Sequence, residues 1–232
     1  MPIPFCVTVR CAADIPSAVR ARVDGAVVKG NLGVARACAG AGLPVVAVRV
    51  DAAIPHQASV PLLPPGTPPT LVLLPPPAVR PEDTRSIERV KAFRLATLAA
   101  LRSVGEWAEK AGHTVAVASS IDSFFEGALE LVEVIRAARC PSLRYALNTF
   151  DAEASGDTLS GATDITADLL GHVVAQDAVD GRRVPPGRGD GQVDLARLLE
   201  ELDLLEYSGA VEVAGSSDEW ADAIEFLRRA RP

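Results

Sequence analysis

At 232 residues with 48% hydrophobic content, the chain is long enough to bury a sizeable core. Its net charge of -7, dispersed along the sequence, argues against a nucleic-acid partner, which needs a dense basic face to neutralise phosphates. No run of about 18 apolar residues is free of charge or proline, so no membrane span is expected, and the segment MPIPFCVTVR lacks the features of a secretion signal, so a cytoplasmic location is expected.

In chain order, short apolar runs rich in β-branched residues predict strands at Phe5–Arg10, Asp24–Val28, Pro44–Val50, Thr70–Leu74, His113–Ala118, Leu143–Asn148, His172–Ala175 and Ala210–Ala214. Helical patterns are clearest at Leu32–Ala41, Glu82–Ala111, Ser123–Ala138, Val193–Glu206 and Asp218–Arg229. In the long one, Val90, Phe93, Leu95, Leu98, Leu101, Val104 and Trp107 recur close to the helical period. Asp122 or Ser123 is placed to cap the helix after the fifth strand, and Asp218 the last. Eight strands alternating with helices match the count of a closed parallel barrel, so a single (β/α)8 TIM barrel over residues 1–232 is expected.

Two stretches depart from that plan. Asp51–Pro69 carries prolines at 55, 61, 64, 65, 68 and 69, which remove backbone donors and fix φ. A proline-rich loop is therefore expected to replace an outer helix near residues 52–69. The crossover Ala12–Val23 is short for a helix with its turns. A barrel thinly covered on one side suits packing against a second copy, so a homodimer is an expectation. The four cysteines, Cys6, Cys11, Cys38 and Cys140, are scattered without a C-x-x-C or a His cluster, as expected of reduced thiols.

The stretch Gly171–Gly215 holds a short strand, Gln176-Asp177, a Gly/Pro/Arg-rich loop, a helix, Tyr207-Ser208-Gly209 and another strand. That order resembles the last third of the sugar phosphate isomerase/epimerase family, the xylose-isomerase-like TIM barrels. The family pattern runs H-x-x-D, a glycine-rich loop, a helix, G-Y-x-G and a strand ending in Glu. Upstream, Ala108-Glu109-Lys110-Ala111-Gly112 leads into a strand, as the family's A-E-x-x-G does. The resemblance implies a divalent metal held by Glu, Asp, His and Glu at four strand ends. Here those positions read Ala118, Asn148, Val174 and Ala214. Two alanines, a valine and an amide offer a dication no charge and at most one weak oxygen, so no metal and no other cofactor is expected.

Strand alternation sets His172 two residues before Val174 and Glu212 two before Ala214, so both should face the barrel interior on adjacent strands. They can form a satisfied polar pair of the barrel's deeper layer, or a general acid/base pair standing in for the metal. Asp177 matches the family's Asp at a strand end, where such barrels build active sites. It reads either as a catalytic carboxylate or as a loop-ordering one paired with Arg182, Arg183 or Arg188. The three arginines suit an anionic ligand, since guanidinium groups bind phosphate or carboxylate bidentately, although solvated loop arginines are common.

Asp151 completes the candidate catalytic set, and Asn148 and Ser119 the ligand-binding set. Other polar strand ends are Arg10, Lys29, Asn31, Arg49, Asp51, Ser120 and Asp122, while His56 and His113 are poorly placed for catalysis. Gly187, Gly189 and Gly191 lack the dinucleotide-binding spacing. The expected function is a metal-independent protein with isomerase/epimerase-like or lyase activity, acting on or binding a small hydroxylated or anionic compound. A catalytically inactive barrel that binds a ligand or a partner protein is the alternative.

Overall fold

A computed structural model describes residues 3–29, 32–52, 54–55, 63, 67 and 70–231. Its strands, in chain order, are β1 (Phe5–Val9), β2 (Gly25–Lys29), β3 (Val45–Arg49), β4 (Leu71–Leu74), β5 (Thr114–Ala118), β6 (Leu143–Asn148), β7 (Leu170–Ala175), β8 (Asp177–Val179), β9 (Arg182–Val184) and β10 (Val211–Val213). Eight of them close into a barrel in the order β1-β10-β7-β6-β5-β4-β3-β2, with β8 and β9 forming a separate antiparallel hairpin. Every barrel pairing is parallel. The barrel strands are largely buried on both faces, which is why the sequence shows near-continuous apolar runs rather than strict alternation.

The helices are α1 (Ile15–Arg20), α2 (Leu32–Gly40), α3 (Ile87–Ala111), α4 (Ala128–Ala138), α5 (Thr149–Ala154), α6 (Leu159–Thr166), α7 (Leu195–Leu204) and α8 (Trp220–Ala230). Leu195, Leu198, Leu199 and Leu202 bury one face of α7, and Trp220, Ala223, Ile224 and Leu227 one face of α8. Fully burying a large apolar side chain of this kind stabilises by about 1.5–3 kcal/mol, so these stripes fix the helices to the barrel wall. Ser86 accepts from Arg89 N at 3.3 Å to start α3, and Gly112, at φ 71°, ends it in the left-handed conformation that a glycine adopts without a Cβ clash.

Several boundaries differ from expectation. A 3-10 turn, Pro81–Thr84, precedes α3, so that helix starts later than Glu82. The helix after β5 starts at Ala128 with Gly127 at its N-cap. Ser123 Oγ instead donates to the Ser120 and Phe125 carbonyls, at 2.9 and 3.0 Å, which closes a turn ahead of the helix. Asp218 does not cap α8 either: Glu219 occupies the N-cap, and its carboxylate accepts from Ser216 N at 2.9 Å. The short first crossover holds the six-residue α1. Most of the proline-rich stretch, namely 53, 56–62, 64–66 and 68–69, lies outside the described residues, and so do His56 and Asn31. No described helix is long and apolar enough to cross a membrane.

Candidate functional site

Inside the barrel, Cys6, Val27, Ala47, Leu73, Ala116 and Ala146 form one buried cluster. Three of its six side chains are alanines, so the lumen above and beside them has room for larger polar groups. Those arrive from four strands: Thr8 on β1, Arg49 on β3, His172 on β7 and Glu212 on β10. Register sets Glu212 level with Cys6 and Val174, and His172 level with Ala146. The interior placement of His172 and Glu212 agrees with the strand alternation read from the sequence.

Glu212 is the hub. The Thr8 hydroxyl donates to its Oε1. Arg49 Nη2 donates to Oε2 at 2.6 Å, and His172 Nε2 lies 2.8 Å from the same oxygen. Burial by itself pushes the Glu212 carboxyl up, but the Arg49 guanidinium, the hydrogen bond and charge of His172 and the Thr8 hydroxyl outweigh it and hold it at about 2. Glu212 is therefore ionised at neutral pH and can only accept. It follows that His172 Nε2 carries the hydrogen of this contact. In the neutral ring the lone pair then sits on Nδ1, which has no hydrogen-bond partner among the described residues.

Two cavities meet at this cluster. One, of about 320 Å³, is bordered by Leu73, Ala118, Asn148, His172, Val174 and Arg183. The other, of about 420 Å³, is bordered by Thr8, Arg10, Lys29, Glu212 and Ala214. Arg49 and Gln176 border both.

The remaining expected site residues separate into groups. Asp151 borders the first cavity, where its Oδ1 accepts from Ser120 Oγ at 2.8 Å, Ile121 N at 3.2 Å and Arg183 Nη2 at 2.8 Å. Arg183 also reaches Asp122 at 3.1 Å and lies 5.0 Å over the Phe150 ring, so it fastens the β8–β9 hairpin onto the loop after β5 and onto α5. Ser119 borders the cavity too, with its hydroxyl 2.6 Å from that of Tyr145, which burial pushes up to about 12. Arg188 pairs with Glu219, and Arg182 points to solvent.

Asp177 corrects the sequence expectation most clearly. It is buried, borders neither cavity, and its Oδ1 accepts from Ala178 N at 2.7 Å and Val193 N at 3.0 Å. It orders the loop, through backbone amides rather than the expected arginines. His113 lies at the opposite end of the barrel, its Nδ1 accepting from Thr70 N at 3.2 Å. Arg49 entered the sequence reading only as one of several polar strand ends, and Thr8 not at all. The alternation that placed Glu212 inside would have found both, since Arg49 lies two residues beyond Ala47 and Thr8 two beyond Cys6.

The four strand-end positions equated with metal ligands do not fit a divalent ion. The side chains of Ala118, Val174 and Ala214 carry no metal-ligating atom. Asn148 Oδ1 accepts from Phe150 N at 3.0 Å and Asp151 N at 3.3 Å as the cap of α5, and its Nδ2 donates to Gln176 Oε1 at 3.1 Å. Among the described residues no group of three or more His, Cys, Asp or Glu is arranged to hold a metal ion.

The family model for xylose isomerase-like TIM barrels matches residues 66–230. No curated protein matches the sequence. Among solved structures, 3-keto-D-glucoside 4-epimerase from E. coli superposes with a TM-score of 0.77 at 18% identity, over 98% of this chain and 100% of that one. D-allulose 3-epimerase from Methylomonas sp., in complex with D-allulose, gives 0.75 at 14% identity over 98% and 97%. A xylose isomerase-like TIM barrel/4-hydroxyphenylpyruvate dioxygenase fusion protein gives 0.73 at 16% identity, and there the chain spans only 43% of the other's length. At these identities the likeness is one of fold.

Proposed function

The chain belongs to the xylose isomerase-like TIM barrel family, and on that premise we propose that it binds a small hydroxylated or anionic compound at the barrel mouth and acts on it as a metal-independent isomerase/epimerase-like protein. Fold does not fix function, so the proposal rests on the site. The observation that carries it is His172: its Nε2 is committed to an ionised Glu212, and its ring borders a cavity at the C-terminal ends of the strands. A neutral imidazole held this way can take a proton from a ligand carbon or hydroxyl at Nδ1. The imidazolium that forms is stabilised by Glu212, and the same nitrogen can return the proton to the neighbouring carbon on the same face of the ligand. Glu212 itself, held at about 2, is a positioning carboxylate and not a base near neutral pH. That two structural relatives are named as sugar epimerases supports a hydroxylated ligand.

Hydrogen exchange at carbon tests this reading. In heavy water, the protein should exchange the C–H next to the carbonyl of at least one aldose or ketose, free or phosphorylated, as seen by NMR. His172→Gln should abolish the exchange while leaving the melting temperature within a few degrees. Treatment with EDTA should change neither exchange nor melting temperature, and the purified protein should carry well under one divalent metal per chain. Stoichiometric metal bound in the mouth would overturn the metal-free reading.

A second reading, a binding barrel without turnover, is favoured by one observation. Glu212, Asp151 and Asp177 are all committed to hydrogen bonds within the protein. Ligand-induced stabilisation with no exchange for any sugar would select it.

A further inference from the structure

We infer that the Arg49 guanidinium is the anion-binding centre of the mouth and receives an ionised phosphate or carboxylate group of the ligand. The inference rests on the reading of the mouth as a ligand site, and adds the ligand's charge and the residue that meets it.

Arg49 borders both cavities, and between them these are bordered by all four positions that fail to fit a metal: Ala118, Asn148 and Val174 in one, Ala214 in the other. The side chain thus brings a fixed positive charge to the space those four residues surround. Its placement is rigid. Glu212 holds it at 2.6 Å and is itself fixed by Thr8 and His172. The guanidinium is not used up by this contact. Glu212 is its only hydrogen-bond partner among the described residues, and 30% of the side chain is exposed. A guanidinium has five N–H donors in a planar fork, so several remain for the paired oxygens of a phosphate or carboxylate.

The surrounding charge points the same way. Arg10, Lys29 and Arg49 border the second cavity against a single carboxylate, Glu212, although the whole chain carries -7. Lys29 shares its charge with Asp51 at 3.2 Å, but both side chains are well exposed and such pairs are weak. A cavity of about 420 Å³ lies within the size range of small-molecule sites.

The test measures binding of inorganic phosphate, fructose 6-phosphate and fructose to the full chain by calorimetry and thermal shift. Wild type should bind both phosphorylated probes and be stabilised by them. The Arg49→Gln/Glu212→Gln double variant leaves no lone charge in the lumen, and should bind them at least roughly tenfold more weakly. Arg49→Lys keeps the charge and a partner for Glu212 but loses the fork, so it should fold and bind phosphate with intermediate affinity. Arg188→Ala should match wild type. Fructose binding without phosphate binding would overturn the anion centre while leaving the mouth as a ligand site. Binding of none of the three would overturn both. Phosphate binding undiminished in the two Arg49 variants, or lost in Arg188→Ala, would place the anion elsewhere and refute the assignment.

Discussion

Arg49 and Glu212 meet across the barrel lumen from strands three apart around the sheet, with Nη2 2.6 Å from Oε2. A contact between non-adjacent strands ties opposite walls of the barrel together, and it does so with charges, one of them almost fully buried. Removing one partner of such a pair strands the other in a poorly solvated place, and this governs how the core should respond to pH and to mutation.

The pH response follows from Glu212. Its carboxyl is held at about 2, below its ordinary 4.5, so it contributes stability that is present above about 4.5 and is lost as pH falls through about 2. Urea unfolding of wild type and Glu212→Gln should show a gap in unfolding free energy that is widest near neutral pH. The gap should close between pH 4.5 and 2. A gap that stays constant through that window would mean that Glu212 does not titrate with folding.

Asp177 should behave as a structural residue. Asp177→Ala leaves the amides of Ala178 and Val193 without their acceptor and should cost about 1–3 kcal/mol in chemical denaturation. Ligand affinity and carbon exchange measured on the folded variant should match wild type. A selective loss of exchange with unchanged stability would restore Asp177 to the active site.

Arg183 makes a more local prediction. Its contacts with Asp151, Asp122, Ser120 and the Phe150 face fasten the hairpin, but 39% of its side chain is exposed, so screening discounts their strength. Arg183→Ala should lower global stability by only about 1 kcal/mol. Amide hydrogen exchange should speed up in residues 177–184, in the loop after β5 and in α5, and nowhere else. Uniform loss of protection would show that the clasp is part of the cooperative core.

How much of this was readable beforehand differs from element to element. The barrel strands were legible because both of their faces are buried, and alternation then carried His172 and Glu212 to the interior correctly. The β8–β9 hairpin lies within a stretch that reads as a Gly/Pro/Arg-rich loop, and its one signal is Asp180-Gly181. These two residues adopt φ of 51° and 69°, the paired positive values of a two-residue turn that Asp-Gly favours. The strand signal around it was weak because each strand is only three residues long. The role of Asp177 was out of reach for another reason: whether a strand-end carboxylate faces the mouth or turns back onto amides depends on the path of a loop returning at Val193. Arg49 was visible as an inward position, but its reach across the lumen depends on how small the intervening side chains are.

That reach also constrains how this barrel could change. Glu at 118 and 214, Asp at 148 and His at 174 would form a metal-ligand set beside a guanidinium already anchored there. The incoming dication would meet like charge across a lumen of low polarisability, where repulsion is strong. Removing Arg49 to relieve that repulsion would leave Glu212 with His172 and Thr8 as its partners among the described residues. A divalent site at these four positions is therefore coupled, through Arg49, to the partners of a buried carboxylate two residues below one of them.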